Sequence, residues 1–332
     1  MLILGIESSC DETAAAVVAD GRQIRSSVVA SQVEVHHRYG GVVPELASRK
    51  HIEAILPVVR EALEQAAIHR EALDAVAVTQ GPGLVGSLLV GHSFAKAFAY
   101  GRGIPWVGVN HLEGHILSVF LEEHPPDFPF CALLASGGHT AIYHVTDFTV
   151  IERMGQTRDD AAGEAYDKVA KVLGLGYPGG KIIDDLAHQG DPTLIPFKRP
   201  FLDRNGFDFS FSGIKSAVNR LAQDQPGKDP SWVADVAAGF QEAVVDVLTH
   251  KLMQAASDRG CGQVVVVGGV AANRRLRERV RQAGAAQGVV VHMPGLDLCG
   301  DNAAMIAAAG YHLLKQGRRG KLDDDVYSRV PH

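Results

Sequence analysis

The chain has 332 residues, 46% hydrophobic and 21% charged, with a formal net charge of −6. That length suits two domains of ordinary size, and the composition argues against a disordered chain. The acidic balance argues against a protein that coats nucleic acid unaided, though not against a local basic patch, and no uncharged apolar run approaches the ~20 residues of a membrane helix.

The opening Met-Leu-Ile-Leu-Gly-Ile-Glu has no basic stretch and few apolar residues before a charge, so no signal peptide is expected. Residues 2–7 and 13–18 read as strands joined by the turn Ser8-Ser9-Cys10-Asp11-Glu12. The segment 44–66 is helical by period, with Pro44 near its start and Pro57 expected to kink or divide it. A strand at 74–79 runs into Gln80-Gly81-Pro82-Gly83. A helix follows from Ser87 to Tyr100, then a strand at 106–109 leads into His111-Leu112-Glu113-Gly114-His115. The same grammar then restarts, with strands at 131–135 and 140–145 joined by Ser136-Gly137-Gly138-His139. Beyond a helical and loop-rich insert, 263–267 is a buried strand ending in Gly268-Gly269. After it come a basic helix from about Asn273, a strand at 288–292, the turn Gly300-Asp301-Asn302 and a helix at 303–315. Residues 321–332 read as a frayed tail. The repeated strand–turn–strand pattern predicts two related α/β lobes with a cleft between them. Their expected extents are 1–128 and 129–302, with the final helix, to about 325, packing back on the first lobe. Cys10, Cys131, Cys261 and Cys299 form no C-x-x-C pair, which fits a reducing cytoplasm better than a disulfide framework.

His111 and His115 are four residues apart, so on a helix they share a face and can grip one metal ion. A pair of packed or capping histidines is the plainer reading of that spacing. Asp301, ahead of an apolar helix, could add an oxygen and complete a 2-His-1-carboxylate set with open positions for a substrate. A zinc protease is excluded by geometry: its Glu follows the first His directly, whereas Glu113 is two residues on, about 200° round a helix. Three turns look like parts of a nucleotide clamp: Ser8–Thr13, Ser136–Thr140 and Gly268–Asn273. Their small residues expose backbone N–H groups, but none matches a Walker A or G-x-G-x-x-G pattern. Asp160, Glu164 and Asp167 would fall on one helical face, either a solvated acidic surface or a site for hydroxyls or an ammonium. Gly176–Gly180 makes a tight turn with Asp184 one helical turn beyond it. Basic residues cluster at Arg274, Arg275, Arg277, Arg279 and Arg281, and again at Lys315, Arg318, Arg319 and Lys321. These are solvated helix faces or contacts for phosphates.

Seven segments taken together resemble one family: GIESSCDET at the start, VNHLEGH at 109–115, LLASGGHT at 133–140, GEAYDKVAKVLGLGYPGG at 163–180, FSFSGIKSAV at 209–218, VVVGGVAANRRLR at 265–277 and GDNAAMIA at 300–307. In this order and length they are similar to the bacterial tRNA N6-adenosine threonylcarbamoyltransferases (TsaD), once described as O-sialoglycoprotein endopeptidases. The likeness runs from residue 2 to about 315. It implies a two-lobed actin/sugar-kinase/chaperone ATPase-like fold, with RNase-H-like lobes and an interlobe cleft. It also implies transfer of threonylcarbamoyl from threonylcarbamoyl-AMP to N6 of adenosine 37 in tRNAs reading codons that begin with A. By that likeness His111, His115 and Asp301 hold a divalent metal, iron in this family, although such ligands also accept zinc or manganese. Leu134, Ala135, Ser136, Gly137, Gly138, Asp167, Gly180, Asp184 and Asn273 contact the adenylate, and ATP or ADP is a further occupant of the cleft. Asp11, Glu12 and His139 are the candidate catalytic groups: His139 to position the donor, Asp11 or Glu12 to orient the incoming base. The implied partners are tRNA, an inactive paralogue of similar fold (TsaB), a small ATPase (TsaE) and a separate synthase that makes the donor, all in the cytoplasm and without a membrane. An ATP-dependent small-molecule kinase or ATPase of the same fold is the alternative.

Overall fold

Leu2-Ile3-Leu4-Gly5-Ile6-Glu7 alternates no polar face, the pattern of a strand covered on both sides, and forms β1 (Leu2–Glu7), buried from Ile3 onward. The computed structural model describes residues 1–200, 206–224 and 229–329. The chain divides into two compact units, one of Met1–Pro125 with the segment from Pro294 onward, the other of Pro126–Met293. Asp301 therefore belongs to the same unit as His111 and His115.

In the first unit β1 is followed by β2 (Glu12–Ala19), β3 (Gln23–Ser31), α1 (Val33–His37), α2 (Pro44–Gln65), β4 (Ala75–Gly81), α3 (Val85–Arg102), β5 (Trp106–Asn110) and α4 (His111–Leu117). The sheet order is β3-β2-β1-β4-β5, with the first three strands antiparallel and β4 and β5 parallel to β1. Leu4, Ile6, Val76 and Val78 on one face pack with Ile55, Val58 and Val59 of α2 and Ala95 and Ala99 of α3. The register pairs Ile6 with Val78 and Thr79 with Val109, so Glu7, Thr79 and the start of α4 meet at one end of three parallel strands.

The second unit repeats the plan. It comprises β6 (Phe130–Ala135), β7 (Thr140–Asp147), β8 (Val150–Gln156), α5 (Ala162–Leu173), α6 (Gly179–Ala187), α7 (Ser212–Gln223), α8 (Pro230–Arg259), β9 (Gln263–Val267), α9 (Arg274–Gln287) and β10 (Val290–His292). Its sheet order, β8-β7-β6-β9-β10, again joins an antiparallel trio to two parallel strands. The last helix, α10 (Ala303–Lys315), packs on the first unit's sheet, opposite α2 and α3. A Cβ on Gly5 would lie 2.1 Å from the Ala303 carbonyl, so only glycine lets this helix begin so close to β1. No helix among the described residues is long and apolar enough to cross a membrane.

Three expectations need correction. Pro57 does not divide its helix, because it lies on the exposed side, where the Glu53 carbonyl it leaves unpaired can be hydrated. Asp160 is not on a helical face with Glu164 and Asp167, since α5 begins only at Ala162. Instead Lys168 and Lys215 hold the Asp160 carboxylate at 2.6 and 3.0 Å. The tail is not frayed where it is described: Gly320 N–H donates to the Trp106 carbonyl, Tyr327 N–H to Gln80, and Lys96 to the Asp324 carbonyl. Positions 330–332 lie outside the described residues. β3 and β8 are strands that hydrophobic period does not mark, and the helical insert contains the 30-residue α8.

Candidate metal centre

Asn110 ends β5 and caps α4, its side-chain oxygen accepting from Leu112 N–H at 2.9 Å and Glu113 N–H at 3.4 Å. That cap starts the helix at His111 and aims His111 and His115 from one face. The start of α10 packs against α4; a Cβ on Gly114 would lie 2.9 Å from Ile306 Cδ1, so the absent side chain permits the approach. Asn302 caps α10 in turn by accepting from Met305 N–H, which leaves Asp301 just outside the helix and facing the histidines.

The resulting group is tight. Asp301 Oδ1 is 3.1 Å from His115 Nε2 and 3.6 Å from His111 Nε2, and one ligand atom from each residue lies within 4.8 Å of the others. His111 and His115 are buried, while Asp301 remains partly exposed, so the group is open on the carboxylate side. Two imidazoles and one carboxylate, with room beyond them, suit a divalent transition metal. Among the described residues this is the one cluster of histidine, cysteine or acidic groups with that geometry. Glu113 is not a member of this group; burial raises its carboxyl, with the Arg318 charge acting the other way.

Behind His111 stands Glu7, whose carboxylate is fully buried. Its Oε2 accepts from His111 Nδ1 at 2.9 Å and from the Thr79 hydroxyl at 2.6 Å, while Oε1 accepts from Ser9 N–H. Burial alone would raise the Glu7 carboxyl, but the facing His111 outweighs it and holds the group below the ordinary range. Burial would likewise lower His111, yet Glu7 and Asp301 lift it to about 9. Glu7 and Thr79 carry no motif of their own, and Ser9 is marked in the sequence only as part of the Ser8–Thr13 turn, not as a donor to Glu7. An ionisable residue closing a buried strand was the available signal.

Asp11 and Glu12 occupy the neighbouring turn of the same unit. Burial raises both carboxyls, with Asp301 pushing the same way. Glu12 reaches about 7 despite accepting from the Ser31 hydroxyl at 2.9 Å. Glu12 Oε2 is buried and has no hydrogen-bond partner among the described residues. The Cys10 carbonyl of this turn is bonded to His51 Nε2 of α2 at 3.0 Å, and the Asp11 carbonyl accepts from Gln32 N–H.

The other expected residues all lie in the second unit. Leu134 and Ala135 end β6, and the Ser136–His139 turn closes by Ser136 N–H donating to the His139 carbonyl at 2.8 Å. A Cβ on Gly137, Gly138 or Gly180 would meet nothing, so these glycines border open space. The Gly268 turn packs against the Ala135 carbonyl, bringing two of the expected loops side by side. Asp167 accepts from Gly179 N–H at 2.7 Å and so ties α5 to α6. Asp184 is engaged by Arg274 at 2.7 Å. Asn273 caps α9 through Leu276 N–H and donates to Gln241 at 2.6 Å, a buried α8 residue that periodicity did not reveal. Of the first basic cluster, Arg275 and Arg279 also hold carboxylates of this unit, Glu242 and Asp246.

The profile of the tRNA N6-adenosine threonylcarbamoyltransferase family, TsaD, matches residues 23–308. The chain belongs to that family of acyltransferases. It is 61% identical to the enzyme of that name from Desulforapulum autotrophicum over 99% of both chains. With that from Symbiobacterium thermophilum it shares 55%, over 97% of this chain and 94% of the relative. Among solved structures, full-length HypF superposes with a TM-score of 0.62 at 14% identity, covering 98% of this chain and 47% of that longer one. An activator of 2-hydroxyisocaproyl-CoA dehydratase from Clostridium difficile gives 0.56 at 14% identity, covering 96% and 97%. At such identities these two carry the fold alone, an actin-like ATPase architecture of two α/β units.

Proposed function

We propose that the chain transfers threonylcarbamoyl from threonylcarbamoyl-AMP to N6 of adenosine 37 in tRNA, with a divalent metal, iron on the family likeness, held by His111, His115 and Asp301. The observation that carries the metal-assisted reading is the approach of two imidazoles and a carboxylate within 4.8 Å at a partly open position. When bound, such an ion supplies positive charge to the oxygens of an activated acyl donor. In the transfer a C–N bond forms between adenine N6 and the carbamoyl carbon, the C–O bond to AMP breaks, and the N6 proton must leave. Adenine N6 is a weak nucleophile because its lone pair is delocalised into the ring. Glu12 is the group suited to take that proton: it titrates at about 7 and one oxygen lacks a partner. Asp11 then orients the incoming base.

On this reading the Ser136–Gly138 turn, Asp167, Gly180, Asp184 and Asn273 receive the adenylate or ATP and ADP, and His139 positions the donor. Arg274 would have to release Asp184 for the latter to contact a ribose. The partners are tRNA, an inactive paralogue of similar fold, a small ATPase and the donor-forming synthase, in the cytoplasm. Ile52 and Leu56 of α2 are 65% and 53% exposed, and Val85 and Leu89 of the contacting α3 are exposed too, apolar groups fit to dock the paralogue. A kinase of the same fold has no use for the His–His–Asp group.

The test is mass spectrometry of nucleosides from total tRNA after depletion of the protein, with wild type or the His111→Ala/His115→Ala variant restored. Loss of threonylcarbamoyladenosine that only wild type reverses is the expected result. Its persistence without the protein would sink the reading.

A further inference from the structure

We propose that Glu7 is a positioning residue for the candidate metal centre, locking His111 so that Nε2 faces Asp301 and His115. The inference rests on the metal reading above and extends it to a residue outside the ligand set. An imidazole has two nitrogens, and it ligates through one only if the proton resides on the other. His111 presents Nδ1 to Glu7 Oε2 at 2.9 Å and Nε2 to Asp301 Oδ1 at 3.6 Å. A buried carboxylate accepts and never donates when ionised, so it keeps a proton on Nδ1, and the proton a metal displaces from His111 is the one on Nε2, on the side of the ligand position.

Glu7 is itself held. Thr79 Oγ1–H and Ser9 N–H donate to its two oxygens, and these donors come from the end of the adjacent parallel strand and from the turn after β1. Three donors therefore converge on one carboxylate, an arrangement that neither a glutamine nor an apolar residue reproduces. In Glu7→Gln the amide NH2 must face one of those donors, because Oε1 and Oε2 are both used as acceptors. The Ser9 hydroxyl, 3.3 Å from His111 Nδ1, is the nearby substitute, but a hydroxyl can donate as well as accept and does not select the tautomer. His115 has no such support, since its Nδ1 is buried with no partner among the described residues. The burden of orientation thus falls on His111.

The experiment titrates Mn2+ into chelator-treated full-length protein and reads the free ion by its electron paramagnetic resonance signal. Wild type, Glu7→Gln, Thr79→Val and His111→Ala are compared, each with its thermal midpoint recorded without metal. Glu7→Gln is expected to bind Mn2+ about 10–100-fold more weakly than wild type, the usual loss on removing a ligand's hydrogen-bond partner. Thr79→Val, which only loosens Glu7, should lose at least about 3-fold by the same mechanism. Wild-type affinity in both variants overturns the proposal, whatever happens to the midpoints. If Glu7→Gln does not fold, wild-type affinity in Thr79→Val overturns it alone. Failure of wild type to bind Mn2+, or binding unaffected by His111→Ala, overturns the metal reading itself, and the two failures are thereby separated.

Discussion

Replacing Glu12 by Gln should uncouple folding stability from pH in a calculable way. Burial, opposed by Ser31 and reinforced by Asp11 and Asp301, moves the Glu12 carboxyl from the ordinary 4.5 to about 7. Below pH 4.5 the group is protonated in both the folded and the unfolded chain, so it does not affect stability. Between 4.5 and 7 the unfolded chain releases the proton and the fold retains it, so stability falls as pH rises. Above 7 both states are ionised and the deficit is constant, about 3 kcal/mol at about 1.4 kcal/mol per pH unit. A glutamine keeps the shape, can accept from the Ser31 hydroxyl and does not titrate. Urea unfolding of chelator-treated wild type and Glu12→Gln at pH 5, 6, 7 and 8 should therefore show the variant gaining by about 2.5 kcal/mol across that range. Titrating groups that do not interact with Glu12 cancel in the difference, while Asp11 and Asp301, which lose its charge, add to it in the same direction. In single-turnover transfer the same variant should be slower by about 10²–10⁴-fold, and should lose the rise of wild-type kcat/KM through pH 7 expected of a general base. A stability difference that stays flat with pH would refute the burial argument, and undiminished transfer would refute the role.

Three further outcomes follow from particular contacts. His115→Ala removes a fully buried member of the proposed ligand set, so on the metal reading metal content by elemental analysis and transfer activity should vanish together, as both should on chelation of wild type and return with metal. Gly5→Ala would push a methyl to 2.1 Å from the Ala303 carbonyl, a backbone atom that cannot yield cheaply, and should lower stability by about 1–3 kcal/mol or more in urea unfolding. Gly138→Ala meets nothing within 4 Å and should leave that stability unchanged. Leu56→Asp on the exposed face of α2 should shift stability by no more than about 0.5 kcal/mol. It should nonetheless abolish co-elution with the similar-fold paralogue in size-exclusion chromatography. Retained co-elution would exclude this face as the docking surface.

Local pattern carried far in this chain. Apolar runs punctuated by Ser- and Gly-rich turns mark β1, β2, β6, β7 and β9, and their repetition alone indicates two lobes. The i, i+4 spacing of His111 and His115 put both rings on one helical face, and the offset of Glu113 put its carboxyl on another. Strands such as β3, with Gln, Arg and Ser among its residues, escaped because the neighbouring β2 supplies the pairing that their own pattern does not advertise. At Asp160 the acidic spacing does not mark where the helix begins, at Ala162, nor Lys215, which reaches the carboxylate from 55 residues away.

By itself the sequence determined those elements that short-range sterics and burial periodicity dictate, and it contained each ligand of the candidate metal centre. Only the tertiary structure decided which groups face one another. Asp301 meets His115 across 186 residues because Gly5 and Gly114 let α10 start against β1 and α4. Glu7 meets His111 across 104 because β1, β4 and β5 end together in one parallel register. Such contacts depend on the close packing of distant backbone, which no window along the chain encodes.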